Sequence, residues 1–238
     1  MVAHAGSPPD FWLFDLDNTL YPARCDLFAQ TDRRMGNYIS RLLDLHYDDA
    51  KRMQKEFWRK YGTTLRGLMT EHGISPTEFL DYVHDIDYSP VIASPALDSA
   101  LGRLAGRKIV FTNGTVRHAE CVLERLGVAH HFEAIYDIVA AAYVPKPEAS
   151  IYRDVVQRYG VRPAQAVMLD DIAANLKPAA DLGMRTVWIR TPESMQRVVG
   201  QALDHIHHQA DDLVEWLDEW LETTTVVARL ADGRPGGT

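Results

Sequence analysis

Short, almost continuously apolar runs recur along this chain, and they constrain its fold more than any other feature. Residues 11–15 (FWLFD), 108–112 (KIVFT), 166–170 (AVMLD) and 185–189 (RTVWI) have this form, and residues 134–139 (AIYDIV) give a weaker fifth. Runs that are apolar at consecutive positions suit strands buried on both faces of a parallel sheet. Helical segments lie between them. Apolar residues fall at helical spacing over residues 116–126 before Gly127, over 150–159 before Gly160 and over about 172–182 before Gly183, each glycine standing where a helix ends. This alternation predicts an α/β fold with a doubly wound parallel sheet, whose ligands sit beyond the carboxyl ends of the strands. The polar residues at those ends are therefore the candidates for chemistry.

The pattern breaks between residues 23 and 90. Phe28, Met35, Tyr38, Ile39, Leu42 and Leu43 share one helical face, and residues 47–60 form a second, charged amphipathic stretch. Ser75, Pro76 and Glu78 supply the N-cap serine, first-turn proline and glutamate of a capping box. With no strand-like run there, residues 23–90 read as an all-helical insertion into a core made of residues 1–22 and 91–238. Near the end, Leu213, Trp216, Leu217, Trp220 and Leu221 mark an amphipathic helix that packs on the sheet. Its other face carries Asp211, Asp212, Glu215, Asp218 and Glu219, the opposite of the basic face a membrane-surface helix needs. Residues 1–9 lack the basic and apolar regions of a signal peptide, and residues 1–9 and 231–238 are expected to be disordered tails.

Charge narrows the range of partners. Asp and Glu total 33 against 25 for Lys and Arg, a net charge of −8, which argues against nucleic acid or an anionic membrane. An anionic substrate then needs local cations or a metal. The two cysteines, Cys25 and Cys121, have neither metal-ligand spacing nor the density of a disulfide framework, so reduced thiols in a cytoplasmic protein are expected. No run reaches the length of a transmembrane helix.

The strand ends carry the chemistry. Asp15 and Asp17 stand where the first run stops, although such an acidic pair is also a common loop start. Thr112, Asn113 and Gly114 offer a hydroxyl, an amide and backbone N–H groups at the head of a helix, which suits an anion and equally an ordinary turn. Lys146 is pinned between Pro145 and Pro147, as a fixed cation would be. Asp170 and Asp171, with Asn175 nearby, repel each other unless a cation offsets them, and a few hard oxygens with open water positions suit Mg²⁺; helix capping is the other reading of that pair. Four such strand ends in this order are improbable as coincidence.

This order resembles the haloacid dehalogenase-like phosphatase superfamily over about residues 11–221, most specifically in residues 15–19 (DLDNT). The resemblance implies that Asp15 is the nucleophile at phosphorus and Asp17 the acid and base. It also implies Mg²⁺ held by Asp15, the backbone carbonyl of Asp17 and the acidic pair, with Thr112, Asn113, Gly114 and Lys146 on the phosphoryl group. Many relatives have Gly-Asp-Ser where this chain has Asp170, Asp171 and Ile172. Aligned so, Asp171 is the direct ligand and Asp170 acts through water, with the reverse left open. An aspartate at position 17 favours a phosphatase over carbon–halogen cleavage. Residues 14–22, 111–114 and the pair His118 and Ala119, with the helical cap, resemble the pyrimidine 5′-nucleotidase branch. Phosphoglycolate or sugar phosphates are the alternative substrates, and a non-catalytic binding module is the alternative class, disfavoured because every catalytic position is retained. The partner implied is a small phosphomonoester; nothing indicates the oligomeric state. His205, His207 and His208 are expected to have no function, and Phe57, Trp58, Arg59 and Tyr61 are read as cap core or base contacts.

Overall fold

The computed structural model describes residues 8–231. In chain order its elements are β1 (Phe11–Phe14), α1 (Leu27–Leu43), α2 (Tyr47–Tyr61), α3 (Thr64–His72), α4 (Pro76–Val83), α5 (Pro95–Arg103), β2 (Arg107–Phe111), α6 (Val116–Leu126) and β3 (Ala134–Tyr136). There follow α7 (Ala149–Tyr159), β4 (Ala166–Asp170), α8 (Ala173–Asp181), β5 (Arg185–Ile189), α9 (Pro192–Arg197), β6 (His208–Ala210) and α10 (Leu213–Ala231). The six strands make one sheet in the order β3-β2-β1-β4-β5-β6, and every pairing is parallel. The chain thus winds outward both ways from β1. The doubly wound α/β fold read from the sequence is the fold observed.

Strand residues alternate between two cores, which is why the runs are apolar throughout. Trp12 and Phe14 of β1, with Val110, Val167, Leu169 and Val187, pack against α5, α6 and α10. Phe11 and Leu13, with Ile109, Phe111, Met168 and Trp188, pack against α7 and α8. Each fully buried side chain of this kind stabilises the fold by roughly 1.5–3 kcal/mol, so both faces need cover. The carboxyl-terminal helix supplies part of it, Trp220 meeting Trp12 edge to face at 5.7 Å between centroids.

Helices α1 to α4, the first four after β1, have a third core of their own. Ile39, Ala50, Phe57, Leu65, Leu68, Phe79, Leu80 and Val83 form it, together with Ile138 from the loop after β3. Two residues placed on the buried face of α1 from periodicity lie elsewhere: Phe28 and Leu42 are each 41% exposed. The buried stripe of α1 instead runs through Leu27, Thr31, Gly36 and Ile39. Gly36 explains the offset, since a Cβ there would lie 2.7 Å from Lys51 Cδ and 2.9 Å from the Tyr47 ring. Helix α2 approaches α1 at that glycine. Of the expected capping box on α4, only the serine half forms, Ser75 Oγ accepting from the Glu78 N–H.

Smaller differences have local causes. Strand β2 ends at Phe111, so Thr112 lies just past it with its N–H on the Tyr136 carbonyl. Of the tails expected at 1–9 and 231–238, most falls outside the described residues; within them Pro9 is buried and Ala231 ends α10. The histidine group belongs to the β5–β6 edge. His205 Nε2 meets the Ala173 carbonyl and His207 Nδ1 accepts from the Thr186 N–H. Among the described residues no helix is long and apolar enough to cross a membrane.

Candidate active site

Topology gathers the strand-end residues at the point where the winding reverses, between β2, β1 and β4. Asp15 follows β1 directly, and its N–H bonds the Leu169 carbonyl of β4 at 2.9 Å. The chain then turns sharply. Asn18 has φ 59°, a left-handed conformation that asparagine tolerates, and the N–H groups of Thr19 and Leu20 return to the Leu16 carbonyl. This turn brings Asp15 and Asp17 to one side, and Thr19 Oγ1 donates to Asp15 Oδ2 at 3.0 Å.

Lys146 ties the acids together. Its Nζ donates to Asp15 Oδ1 at 2.7 Å, to Asp170 Oδ2 at 2.6 Å and to the Phe111 carbonyl at 2.8 Å. The side chain is 1% exposed, so all three donor hydrogens are committed inside the protein. Asn113 fixes the backbone behind it, its Oδ1 accepting from the Lys146 N–H at 2.9 Å and its Nδ2 donating to the Lys146 carbonyl. That amide is therefore engaged with Lys146, which leaves the backbone N–H as the part of Asn113 able to reach an anion. Thr112 is buried, and its Oγ1 accepts from the Gly114 N–H at 2.9 Å. A Cβ on Gly114 would stand 3.0 Å from His118 Cδ2 and 3.3 Å from Thr112 Oγ1, so only glycine fits comfortably there.

Ligand atoms of Asp15, Asp170 and Asp171 all lie within 4.8 Å of one another, and all three residues are buried. Burial, joined by the charges of Asp170 and Asp17 and opposed by Lys146, pushes Asp15 up to about 7. Burial and the charges of Asp15 and Asp170 likewise push Asp171 well above the ordinary carboxylate range. Burial alone would lower the Lys146 ammonium, but its bonds and charges to Asp15 and Asp170 hold it above the ordinary lysine value.

The two acids of the pair differ in what they touch. Asp170 takes hydrogen bonds from Lys146, from Asn175 Nδ2 and from the Ile172 N–H. No hydrogen bond among the described residues ends on the Asp171 carboxylate, although its backbone carbonyl accepts from Trp188 Nε1. None ends on the Asp17 backbone carbonyl either. Hard oxygen donors in this number, crowded and short of positive charge, fit a small divalent cation.

The sequence alone assigns no hydrogen-bond partner to Asp17. Tyr21 donates its hydroxyl to Asp17 Oδ1 at 2.5 Å, and His118 Nε2 approaches the same oxygen at 2.8 Å. Burial pushes Asp17 up, but the charge and hydrogen bond of His118 and the hydrogen bond of Tyr21 outweigh it, and the carboxyl is lowered to about 2. The Tyr88 hydroxyl lies 3.0 Å from His118 Nδ1, and the His84 ring stacks on His118 at 4.6 Å. Tyr21 could have been inferred from its place four residues after Asp17 in a tight turn. His118, 101 residues away in sequence, could be linked to it only through the topology. Every strand-end residue singled out from the sequence does come into this one site.

Comparison with known proteins agrees with this geometry. The chain is 28% identical over 241 residues to the glyceraldehyde 3-phosphate phosphatase of Methanopyrus kandleri, covering 92% of this chain and 97% of that protein. It is 26% identical over 191 residues to phosphate metabolism protein 8 of Saccharomyces cerevisiae, covering 73% of this chain and spanning 59% of the yeast protein's length. Among solved structures, CbbY of Rhodobacter sphaeroides in complex with phosphate superposes with a TM-score of 0.64 at 18% identity, covering 87% of this chain and 96% of that one; this likeness concerns the fold. A family model for haloacid dehalogenase-like hydrolases matches residues 12–183, and the chain belongs to that family.

Proposed function

We propose that this chain is a Mg²⁺-dependent phosphomonoester hydrolase working through an aspartyl-phosphate on Asp15, with residues 1–22 and 91–238 as its catalytic core and residues 23–90 as a cap. The observation that carries this reading is the Lys146 ammonium bonded at once to Asp15 and Asp170, with Asp17 turned to the same side. Lys146 holds Asp15 Oδ1, which aims the nucleophile and partly offsets its repulsion from a phosphate. Thr112, the Asn113 N–H and Gly114 line the position left for the phosphoryl oxygens. The chemistry that Mg²⁺ supplies when bound by Asp15, Asp171 and the Asp17 carbonyl is charge neutralisation at those oxygens. That no hydrogen bond among the described residues ends on the Asp171 carboxylate supports it as the direct ligand, while Asp170 orients Lys146.

Asp15 attacks phosphorus as the ester oxygen leaves, and Asp17 gives that oxygen a proton. In the second step Asp17 takes a proton from the water that attacks the phosphoenzyme. A carboxyl lowered to about 2 stands ionised near neutral pH, the form in which it can accept a proton in this second step. A dianionic phosphoryl group placed beside it raises its proton affinity by like-charge repulsion, which prepares it as the acid of the first.

For the substrate we infer a pyrimidine nucleoside 5′-monophosphate, supported by the strings at residues 14–22 and 111–114 and by the presence of the helical insertion, the segment in which discrimination among leaving groups would reside. The second reading, a triose or hexose phosphate, is favoured by the nearly full-length match to a glyceraldehyde 3-phosphate phosphatase. Hydrolysis of a panel of uridine, cytidine, adenosine and guanosine monophosphates, glyceraldehyde 3-phosphate, hexose phosphates and phosphoglycolate, with Mg²⁺ and with chelator, tests both. Highest kcat/KM on the pyrimidine nucleotides is expected. A preference for sugar phosphates selects the second reading, and full activity in chelator removes the metal-dependent mechanism.

A further inference from the structure

The carboxylate of Asp17 is held from one side only. Both Tyr21 and His118 bond Oδ1, whereas no hydrogen bond among the described residues ends on Oδ2, which faces Gly114 at 3.8 Å from the place of its missing Cβ. An ionised carboxylate oxygen has about two acceptor sites, and on Oδ1 both are taken. Two such bonds also fix the rotation of the carboxylate about its Cβ–Cγ axis, so its oxygens cannot exchange places. The free oxygen is the one that faces the Thr112–Gly114 loop.

His118 is itself placed by several contacts. It is the third residue of α6, its N–H is capped by Thr115 Oγ1 at 3.2 Å, and its side chain is 3% exposed. Its far nitrogen meets the Tyr88 hydroxyl, which also donates to the His84 carbonyl at 3.0 Å. The His84 ring lies parallel to the His118 ring within 21°. Both His84 and Tyr88 belong to the segment that leads from α4 back to α5, the return from the helical insertion.

We propose that His118 is a positioning residue for Asp17: with Tyr21 it clamps Oδ1, it leaves Oδ2 as the oxygen that gives and takes the proton, and it is set in place by Tyr88 and His84 at the exit of the insertion. The proposal rests on Asp17 being the acid and base. In the first step the bond from Asp15 to phosphorus forms, the bond to the ester oxygen breaks, and the proton on Oδ2 passes to that oxygen. In the second, the oxygen of water bonds phosphorus, the bond to Asp15 breaks, and a proton of the water returns to Oδ2. The sum is ester plus water giving alcohol plus phosphate. A misplacement of about 1 Å in such a group costs on the order of 10²-fold in rate.

The test uses the holoenzyme with Mg²⁺ and p-nitrophenyl phosphate, whose leaving group departs without a proton, beside the best alkyl phosphomonoester of the panel. Rapid-mixing measurements separate the burst of nitrophenolate from the steady state. His118→Phe is expected to keep the burst within about 3-fold and KM within about 2-fold, and to lose about 10–100-fold in steady-state turnover and in all turnover of the alkyl ester. His118→Gln, whose amide can donate from nearly the position of Nε2, is expected to recover most of that loss, and Tyr88→Phe to show a smaller loss of the same pattern. If burst and steady state fall together in His118→Phe, or if glutamine rescues nothing, the positioning role is overturned. If His118→Phe does not fold, Tyr88→Phe decides alone: wild-type turnover of the alkyl ester by that variant overturns the proposal. Asp17→Asn run in parallel separates the two levels. When it splits burst from steady state and His118→Phe does not, only the clamp is wrong; when Asp17→Asn itself shows no split, the acid and base reading falls with it.

Discussion

Replacing Lys146 by methionine probes the electrostatics of the site more sharply than removing any one acid. Lys146→Met keeps the length of the side chain and deletes three hydrogen bonds of 2.6–2.8 Å at a position 1% exposed. Water cannot take the place of the ammonium there. Breaking a buried ion pair from one side costs about 3–5 kcal/mol, and that is the loss expected by urea unfolding of the metal-free protein at pH 8. The pH dependence gives a second check. In the folded chain Asp15 holds its proton up to about 7 rather than the ordinary 3.8. Between those values the folded state binds more protons than the unfolded state, so Asp15 makes stability fall as pH rises. In the wild type its share of that fall ends near pH 7. Without the ammonium that opposes the rise, Asp15 keeps its proton to still higher pH, and the variant goes on losing stability by up to about 1.4 kcal/mol per pH unit above 7. The deficit against wild type should therefore widen between pH 7 and 9. A deficit below about 1 kcal/mol, small beside the expected range, or one that is constant from pH 6 to 9, would refute the reasoning.

Three further outcomes are expected. Asp15→Asn should abolish turnover and any trapped phosphoenzyme, because an amide is a poor nucleophile at phosphorus; turnover within 10-fold of wild type, on the order of 1.4 kcal/mol in barrier, would remove Asp15 from that role. Asp171→Ala should raise the Mg²⁺ concentration for half activity more than Asp170→Ala does, whereas Asp170→Ala should lower thermal stability more, since it strips partners from Lys146 and Asn175; the opposite ranking reassigns the direct ligand. Gly67→Ala should cost about 1–3 kcal/mol by overpacking, because its Cβ would fall 2.5 Å from Phe57 Cβ; an unchanged melting temperature would mean that α2 and α3 can move apart freely.

The sheet was legible because burial on both faces writes itself into the sequence as continuous apolar runs, and Trp12 with Phe14 on one face and Leu13 on the other shows why. Periodicity was less informative for α1. It gave a helix, but which arc is buried depends on where α2 comes closest, and the small residue Gly36 rather than the large Phe28 decides that. Helices α3 and α5, each of nine residues, give too few turns for periodicity alone to mark them, whereas α8, equally short, is framed by the β4 run and Gly183. In the site, the residues at strand ends announced themselves by position, whereas the neighbours of Asp17 did not. His84, Tyr88 and His118 come from the end of the insertion and the first turn of α6 and meet only in three dimensions.

The balance of charge in the site gives the metal reading its physical force. Three buried carboxylates, Asp15, Asp170 and Asp171, face one ammonium within a few ångströms, and the acids answer by holding protons, Asp15 up to about 7 and Asp171 well beyond the ordinary range. Fully ionised, the group carries two negative charges more than Lys146 offsets, which is the charge of one divalent cation. On the proposed mechanism a protonated Asp15 would be a poor nucleophile and an ionised one would repel a phosphate dianion, so turnover is expected only with a cation bound. With a divalent cation held by Asp15 and Asp171, both conditions would be met together, since its charge would stabilise the ionised acids and attract the phosphate. Lys146 alone cannot do this, since its three donor hydrogens already serve Asp15, Asp170 and the Phe111 carbonyl. Metal affinity should accordingly fall as pH drops below about 7, where Asp15 takes up its proton, in step with the loss of turnover.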